Sequence, residues 1–143
     1  PPNPANTPAK RTWDNVDTIG PIDADSSQVL AVSPDDRTLY MTDSRASDTG
    51  GVVAIDIKTK KQTVLGNDPK AEAGDTIIDP HTGKLQAISF EYDRTHWQVL
   101  DKSIAADLDG MAKHSPGGEA SVVARTAHDK QRIVATLTDQ TPA

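Results

Sequence analysis

Apolar residues along this chain form short runs, and each run ends at a polar turn. The apolar runs at 29–32 and 39–41 flank the segment 33–38, which carries Pro34 followed by two aspartates. Proline early in a polar turn, between two short apolar runs, is typical of a β-hairpin. The same order of strand, polar turn and strand recurs at 76–88 and at 122–135.

The three hairpins follow one another at a nearly constant spacing. Leu39 and Leu85 begin equivalent strands 46 positions apart, and Ile133 follows Leu85 by 48. A period in the forties with four short strands in each unit is typical of the blades of a β-propeller. A blade cannot bury both of its faces alone, so we expect neighbouring units to cover each other.

The full pattern predicts an all-β fold with one short helix: a partial β-propeller of about two and a half blades of four-stranded antiparallel sheet. The predicted domains are a Pro-rich arm or linker at 1–18 and an incomplete propeller at 19–143. Its units are a blade at 28–69, a blade at 75–118 with a helix at 103–114, and a partial blade at 119–143. The predicted strands are 28–32, 38–42, 52–57, 62–65, 76–78, 84–92, 96–100, 120–125 and 132–138.

The helix is predicted from a change in apolar spacing. Ile104, Leu108 and Met111 share one helical face, Ser103 is a suitable N-cap, and Lys113 lies where the helix dipole favours a cation. Asp107 and Asp109 then lie on the solvent face.

The first eight residues contain four prolines, so we expect an extended arm with little regular structure. The chain begins at Pro1 and its last unit lacks outer strands, and we expect it to be a trimmed or excerpted piece of a longer protein. The strands at 120–125 and 132–138 would then present exposed edges, which predicts self-association there.

Composition narrows the classes of partner. The formal net charge of −6 argues against nucleic acid, because phosphate binding needs clustered lysine and arginine on one face. No stretch approaches the roughly 20 apolar residues that span a bilayer, so we expect no membrane partner. The chain has no cysteine, which fits cytoplasm and periplasm alike.

No catalytic or metal-binding motif is present. The chain lacks a G-x-S-x-G elbow, and the absence of cysteine excludes a thiol nucleophile. The four histidines are isolated, and the segment 23–34 lacks the glycine and glutamate of a calcium loop. We expect no catalytic, cofactor-binding or metal-binding residue in this chain, and no cofactor. Trp97, on an alternating strand, is expected to pack between blades.

Two charged segments follow equivalent predicted strands. Asp43 and Arg45 follow the second strand of the first unit, and Asp93 and Arg94 follow the second strand of the next. One interpretation is bracing of the loops, in which arginine binds a neighbouring carboxylate or carbonyl. The other is a ring of charges at one mouth of a propeller. Both stay open, with bracing preferred because paired charges on loops are commonly structural.

The residues also resemble a known family. The run at 30–45, together with 53–56, 63–66, 78–80, 97–101 and 124–126, is similar in order and spacing to the propeller of bacterial serine peptidases of the prolyl oligopeptidase family, in their acylaminoacyl-peptidase-like branch. The turn Ser33–Pro34–Asp35 alone is shared with TolB-like propellers. Asp36 replaces the usual turn glycine, which a β-turn tolerates because aspartate adopts left-handed backbone angles.

The resemblance implies a non-catalytic role, since the α/β-hydrolase domain that carries the catalytic residues of that family is not in the chain. In that family the propeller caps the active site and admits short or unstructured peptides. The implied partners are a peptide substrate and that hydrolase domain, and periplasm is slightly favoured over cytoplasm. The alternatives are a TolB-like propeller module that binds proteins and, less favoured, a small hydrolase.

Overall fold

The computed structural model describes residues 12–115, 118–126, 128 and 130–137. Over these residues the chain forms nine strands, a 3₁₀ turn at Lys102–Ile104 and one α-helix. The elements are β1 (Val29–Val32), β2 (Thr38–Asp43), β3 (Gly51–Asp56), β4 (Gln62–Gly66), β5 (Ala73–Ile78), β6 (Leu85–Glu91), β7 (Thr95–Val99), α1 (Ala105–His114), β8 (Glu119–Arg125) and β9 (Arg132–Leu137).

The strands form three antiparallel sheets whose strand order follows the chain. Sheet 1 has the order β1-β2-β3-β4, sheet 2 has β5-β6-β7, and sheet 3 has β8-β9. Every pair of neighbours in a sheet is antiparallel. The predicted class, a partial propeller-like all-β fold with one short helix, is therefore confirmed. In the second unit the chain leaves the sheet after three strands and continues into α1.

The first hairpin turn forms as the sequence predicts. Ser33 and Thr38 close it, with the Ser33 N–H donating to the Thr38 carbonyl at 2.8 Å. The Asp36 N–H donates back to the Ser33 carbonyl at 2.9 Å, and Asp36 has φ of 57°. Left-handed angles suit glycine best, and aspartate is among the few other residues that adopt them readily. The expectation that Asp36 tolerates left-handed angles in this turn is confirmed.

The corresponding turn of sheet 2 contacts that first turn. Gly83 has φ of +63°, and its N–H donates to the Asp79 carbonyl at 2.8 Å. A Cβ at Gly83 would lie 2.1 Å from Cδ of Pro34. The two turns therefore pack so closely that only glycine fits, and this contact joins sheets 1 and 2 at one end.

Sheets 1 and 2 pack through an apolar layer. On the sheet 1 side the buried residue is Val52, and on the sheet 2 side Ile88 and Phe90 of β6 face it. The same layer includes Ala71, Leu85 and the partly buried Leu30, Tyr40, Leu65, Ala73 and Ile78. All four strands of sheet 1 and two strands of sheet 2, β5 and β6, thus contribute to one core.

A second apolar layer covers the opposite face of sheet 2. Ile77 and Ala87 of the sheet pack against Ile104 and Leu108, as expected for the apolar helix face. The partly buried residues of this layer are Trp97, Met111 and Val122, the last from sheet 3. Trp97 therefore packs between structural units, as predicted, and the helix fills part of the space between sheets 2 and 3.

A polar link also joins sheets 2 and 3. Gln86 is buried, and its Oε1 accepts a hydrogen bond of 2.9 Å from Nη1 of Arg125. The same Nη1 donates to the Ile78 carbonyl at 3.0 Å, while Nε2 of Gln86 donates to Oγ of Ser103 at 3.3 Å. A buried amide needs such partners, so these bonds fix the position of β8 relative to sheet 2.

The outer face of sheet 1 is covered by the chain that precedes it. Met41, Val53 and Ile55 point away from sheet 2 and are nearly fully buried, with Val16 and Ile19 packed against them. Part of the predicted arm at 1–18 thus lies on the sheet; its residues 1–11 fall outside the described part of the chain.

Most strand bounds differ from the sequence prediction by one residue, and two larger differences have a local physical cause. The strand β5 begins at Ala73 rather than at 76, because Ala73 pairs with Phe90 across a register shift. Glycine and aspartate at 74–75 are poor strand formers, so the sequence did not predict that the strand includes residues 73–75. The predicted N-cap Ser103 is wrong: the side chain of Asp101 accepts from the Ser103 N–H and caps a 3₁₀ turn that precedes α1.

We predict that Gly83→Ala destabilises the chain by roughly 1–3 kcal/mol, because the new methyl group meets Pro34 and the left-handed backbone is strained. Urea unfolding followed by circular dichroism measures the change. Gly110→Ala is the control, since nothing lies within 4 Å of that added methyl group and alanine favours a helix. Equal stability of Gly83→Ala and wild type would contradict the proposed contact between the turns.

Candidate functional site

The predicted charged segments lie where strands β2 and β6 end, and we call this end of the sheets the loop end. It carries the connections 44–50, 67–72 and 92–94. The first two connections are tied together, since Oγ1 of Thr49 donates to the Asp68 carbonyl at 2.6 Å and the Ala73 N–H donates to the Gly50 carbonyl at 2.7 Å. The tight turns 33–37 and 79–84 lie at the opposite end.

Arg45 stands at the centre of the first charged cluster. Its Nε donates to Oδ1 of Asp43 at 2.9 Å, and its Nη2 donates to Oδ2 of the same carboxylate at 2.7 Å. The other edge of the guanidinium faces Asp17, with Nη1–Oδ1 at 3.1 Å and Nη2–Oδ2 at 2.6 Å. Two bidentate pairs therefore hold one guanidinium, a strong and directional arrangement.

Asp43 is the buried member of this cluster. It ends strand β2, where its register partner on β3 is Gly51. The Arg45 N–H donates to Oδ1 at 2.9 Å and Nε2 of Gln62 donates to Oδ2 at 2.5 Å. Hydrogen bonds from Arg45 first, then from its backbone and from Gln62, lower the pKa of Asp43 to about 2 against the opposing effect of burial. The carboxylate is ionised wherever the protein is folded near neutral pH.

Asp17 brings the preceding chain to the same guanidinium. The hydrogen bond from Arg45 is the main cause that lowers the pKa of Asp17, and the Thr18 N–H adds to it. Nη1 of Arg45 also donates to the Thr18 carbonyl at 3.2 Å. Arg45 thus fastens an irregular segment to the end of strand β2, which agrees with the bracing interpretation.

The second charged segment has a different geometry. Asp93 lies in the loop beyond β6, and its Oδ1 accepts from the Arg94 N–H at 2.9 Å. The same oxygen lies 2.7 Å from Nε2 of His96, and this hydrogen bond is the main cause that lowers the pKa of Asp93. Asp43, by contrast, is the last residue of its strand. The similar spacing of the two segments does not produce equivalent sites, and a role for Asp43, Arg45, Asp93 and Arg94 as mouth charges stays a prediction.

An aromatic stack that sequence reasoning missed lies beside Asp93. The rings of Tyr92 and His96 are stacked, with centroids 4.3 Å apart and an interplanar angle of 10°. Nζ of Lys70 lies over the ring of Tyr92, 5.3 Å from the ring centroid. Cation–π contacts of this kind contribute about 0.5–1 kcal/mol at exposed positions. Tyr92 and His96 are near in sequence, but no local pattern connects them with Lys70, which belongs to another loop.

The described side chains do not assemble a hydrolytic site. Oγ of Ser26 and Oγ of Ser44 lie 2.7 Å apart, and Ser44 also donates to Asp23 at 3.3 Å. No hydrogen bond joins a described serine to a described imidazole, which a serine nucleophile with a histidine base would need. Nor does this part of the chain hold three acidic or histidine side chains grouped as a metal site would require.

Within the described ranges no helix has the length and apolar character to cross a bilayer.

Comparison with known proteins gives a peptidase relative. The chain is 39% identical over 134 residues to dipeptidyl aminopeptidase BIII of Pseudoxanthomonas mexicana, and the match covers 94% of this chain. It covers 19% of that protein, so the chain spans about a fifth of the relative's length. The chain therefore has an S9-type peptidase as a relative. No protein-family model matches the chain, and no solved structure matches it.

We predict that Asp43→Asn removes part of the acid dependence of stability. The pKa of Asp43 is lowered in the fold, so its contribution is fully present above the unfolded value of 3.8 and is lost as pH falls towards about 2. The shift corresponds to about 2 kcal/mol. Urea unfolding of wild type and variant at several pH values between about 2 and 7 measures the difference.

The control for this experiment is Asp35→Asn, which changes an exposed turn carboxylate bonded to Ser33. The hydrogen bond from Ser33 lowers the pKa of Asp35 as well, but water screens an exposed carboxylate, so we expect a clearly smaller loss of acid dependence than in Asp43→Asn. If Asp43→Asn kept the full acid dependence, the Arg45 cluster would not be the stabilising group described above.

Proposed function

We propose that this chain is the β-sheet region of a larger peptidase and that it takes no part in bond cleavage itself. The observation that carries the proposal is the similarity of nearly the whole chain to about a fifth of a dipeptidyl aminopeptidase. A region of that size supplies part of a peptidase, and the remainder of such a protein has ample length for a catalytic domain.

The arrangement of side chains supports a non-catalytic role. The hydroxyls of Ser26 and Ser44 bond to each other, and that of Ser44 also bonds to a carboxylate. The imidazole of His96 bonds to Asp93 and stacks on Tyr92. Hydrolysis by a serine peptidase needs a hydroxyl in hydrogen-bond reach of a general base. The chemistry is therefore assigned to a separate hydrolase domain.

The function proposed for the sheets is to restrict the access of peptides to that domain. Sheets that pack through continuous apolar layers form a stiff wall, because cores at crystal-like density deform little. Sheets 1 and 2 are joined by such a layer and by the contact of Gly83 with Pro34. A wall of this kind admits short peptides and excludes long or folded chains.

We predict that the isolated chain does not hydrolyse dipeptidyl arylamides, whereas the longer protein that contains it does. Release of the coloured arylamine measures hydrolysis by the isolated chain and by the longer protein. Hydrolysis by the isolated chain, after removal of contaminating peptidases, would contradict the non-catalytic role. Lack of peptidase activity in the longer protein would contradict the peptidase assignment.

The access role is tested in the longer protein with Gly66→Val. A Cβ at Gly66 would lie 2.6 Å from Oε1 of Gln98 and 2.7 Å from Cδ1 of Ile88, so valine acts as a wedge between sheets 1 and 2. We expect cleavage of a long unfolded polypeptide to rise several-fold relative to a dipeptidyl arylamide. Gly20→Val, where nothing lies within 4 Å, is the control. An unchanged ratio in Gly66→Val would exclude the wall between these sheets as the barrier.

A further inference from the structure

Sulfur occurs at two positions of the chain, Met41 and Met111, because the sequence has two methionines and no cysteine. Peroxides oxidise the thioether of methionine to a sulfoxide, which turns a flexible apolar side chain into a polar one. Oxidation at sulfur is therefore confined to these two side chains, and the fold places them in very different surroundings.

Met41 is sealed inside sheet 1. Its strand β2 lies between β1 and β3, where its register partners are Val29 and Val53, and the residue is 2% exposed. A reagent reaches such a sulfur only when the sheet opens, and the opening of a paired core strand is among the rarest local motions of a folded protein. We therefore expect Met41 to be protected from oxidants.

Met111 instead lines a cavity between β7, α1 and the start of β8. The cavity has a volume of about 110 Å³, and Trp97 and Leu108 are among its apolar walls. Arg94 and Ala112 also line it and are exposed, so the cavity reaches the surface. A water-sized molecule needs about 10–15 Å³ of such space, so a small peroxide fits beside the thioether.

Met111 also belongs to the apolar layer that holds α1 on sheet 2. It packs against the cluster formed by Ile77 and Ala87 of the sheet with Ile104 and Leu108. A sulfoxide oxygen brings a strong acceptor into this layer, and a polar group taken from water carries a free-energy cost unless it is hydrogen-bonded. The cavity has room for the added oxygen, so oxidation weakens the attachment of the helix without unfolding the chain.

We propose that Met111 is a site of reversible oxidation by a hydroperoxide, and that its sulfoxide loosens the packing of α1 on sheet 2. A lone pair of Sδ attacks one peroxide oxygen, so that an S–O bond forms as the O–O bond breaks. The departing oxygen takes up the proton of the transferred one and leaves as water or an alcohol. Sulfur gives up two electrons, by which the peroxide is reduced. A methionine sulfoxide reductase, with thiols as the reductant, restores the thioether.

The selectivity is tested by treating the folded chain with hydrogen peroxide and following both methionines by mass spectrometry. Tryptic peptides 38–45 and 103–113 separate them. We expect Met111 to react roughly tenfold faster than Met41 or more, because Met41 reacts only through opening of the sheet. Treatment in concentrated urea is the control, in which both should react at similar rates. Similar rates in the folded chain, or a faster reaction at Met41, would overturn the assignment of Met111.

The effect on packing is tested by urea unfolding before and after peroxide treatment. We expect oxidation to lower the urea midpoint of wild type, and treatment with methionine sulfoxide reductases to restore it. Met111→Leu keeps an apolar side chain of similar volume but has no sulfur at this position, so peroxide should leave its midpoint unchanged. Met41→Leu is the matched control and should respond as wild type does.

Tryptophan fluorescence locates the change. With Trp13→Phe, Trp97 in the wall of the cavity is the remaining tryptophan, and we expect its emission to shift on oxidation unless Met111→Leu is also present. The proposed loosening is wrong if oxidised wild type keeps its urea midpoint and its emission. It is also wrong if Met111→Leu responds to peroxide as wild type does, or if Met41→Leu abolishes the response.

Discussion

The structure depends on the burial of strand β6 on both of its faces. Its first six residues are all buried, with Ile88 and Phe90 in the layer shared with sheet 1 and Ala87 in the layer shared with the helix. Apolar surface removed from water contributes about 25 cal/mol per Å², so two complete layers outweigh any single polar contact described here. The stacking of units on either side of β6 is what turns separate hairpins into one fold.

Polar groups then set the positions that apolar packing leaves free. Gln86, on the same strand, binds Arg125 and Ser103, which holds sheet 3 and the 3₁₀ turn in register with sheet 2. At the loop end, Arg45 holds the segment before β1 in position through its pair with Asp17. A buried polar group such as Gln86 carries a desolvation cost unless it is paired, and its pairing makes the arrangement specific.

The candidate site was only partly predictable. Arg45 and Asp43 are two residues apart, so their pairing follows from local sequence, and the preferred bracing interpretation agrees with it. Asp17 lies 28 positions from Arg45, and no local pattern connects the two. The equivalence expected between Asp43 and Asp93 also did not hold, because one residue ends a strand and the other lies in a loop.

The sequence by itself determined the strands, the turns and the helix face. These depend on alternation and turn chemistry within a few residues, as at Pro34 and Asp36, and such signals are local. Only the tertiary structure decided that Gly83 must meet Pro34 and that Val16 and Ile19 cover sheet 1. The physical reason is that apolar contacts are non-directional: a sequence shows which face must be buried, and the folded chain shows what buries it.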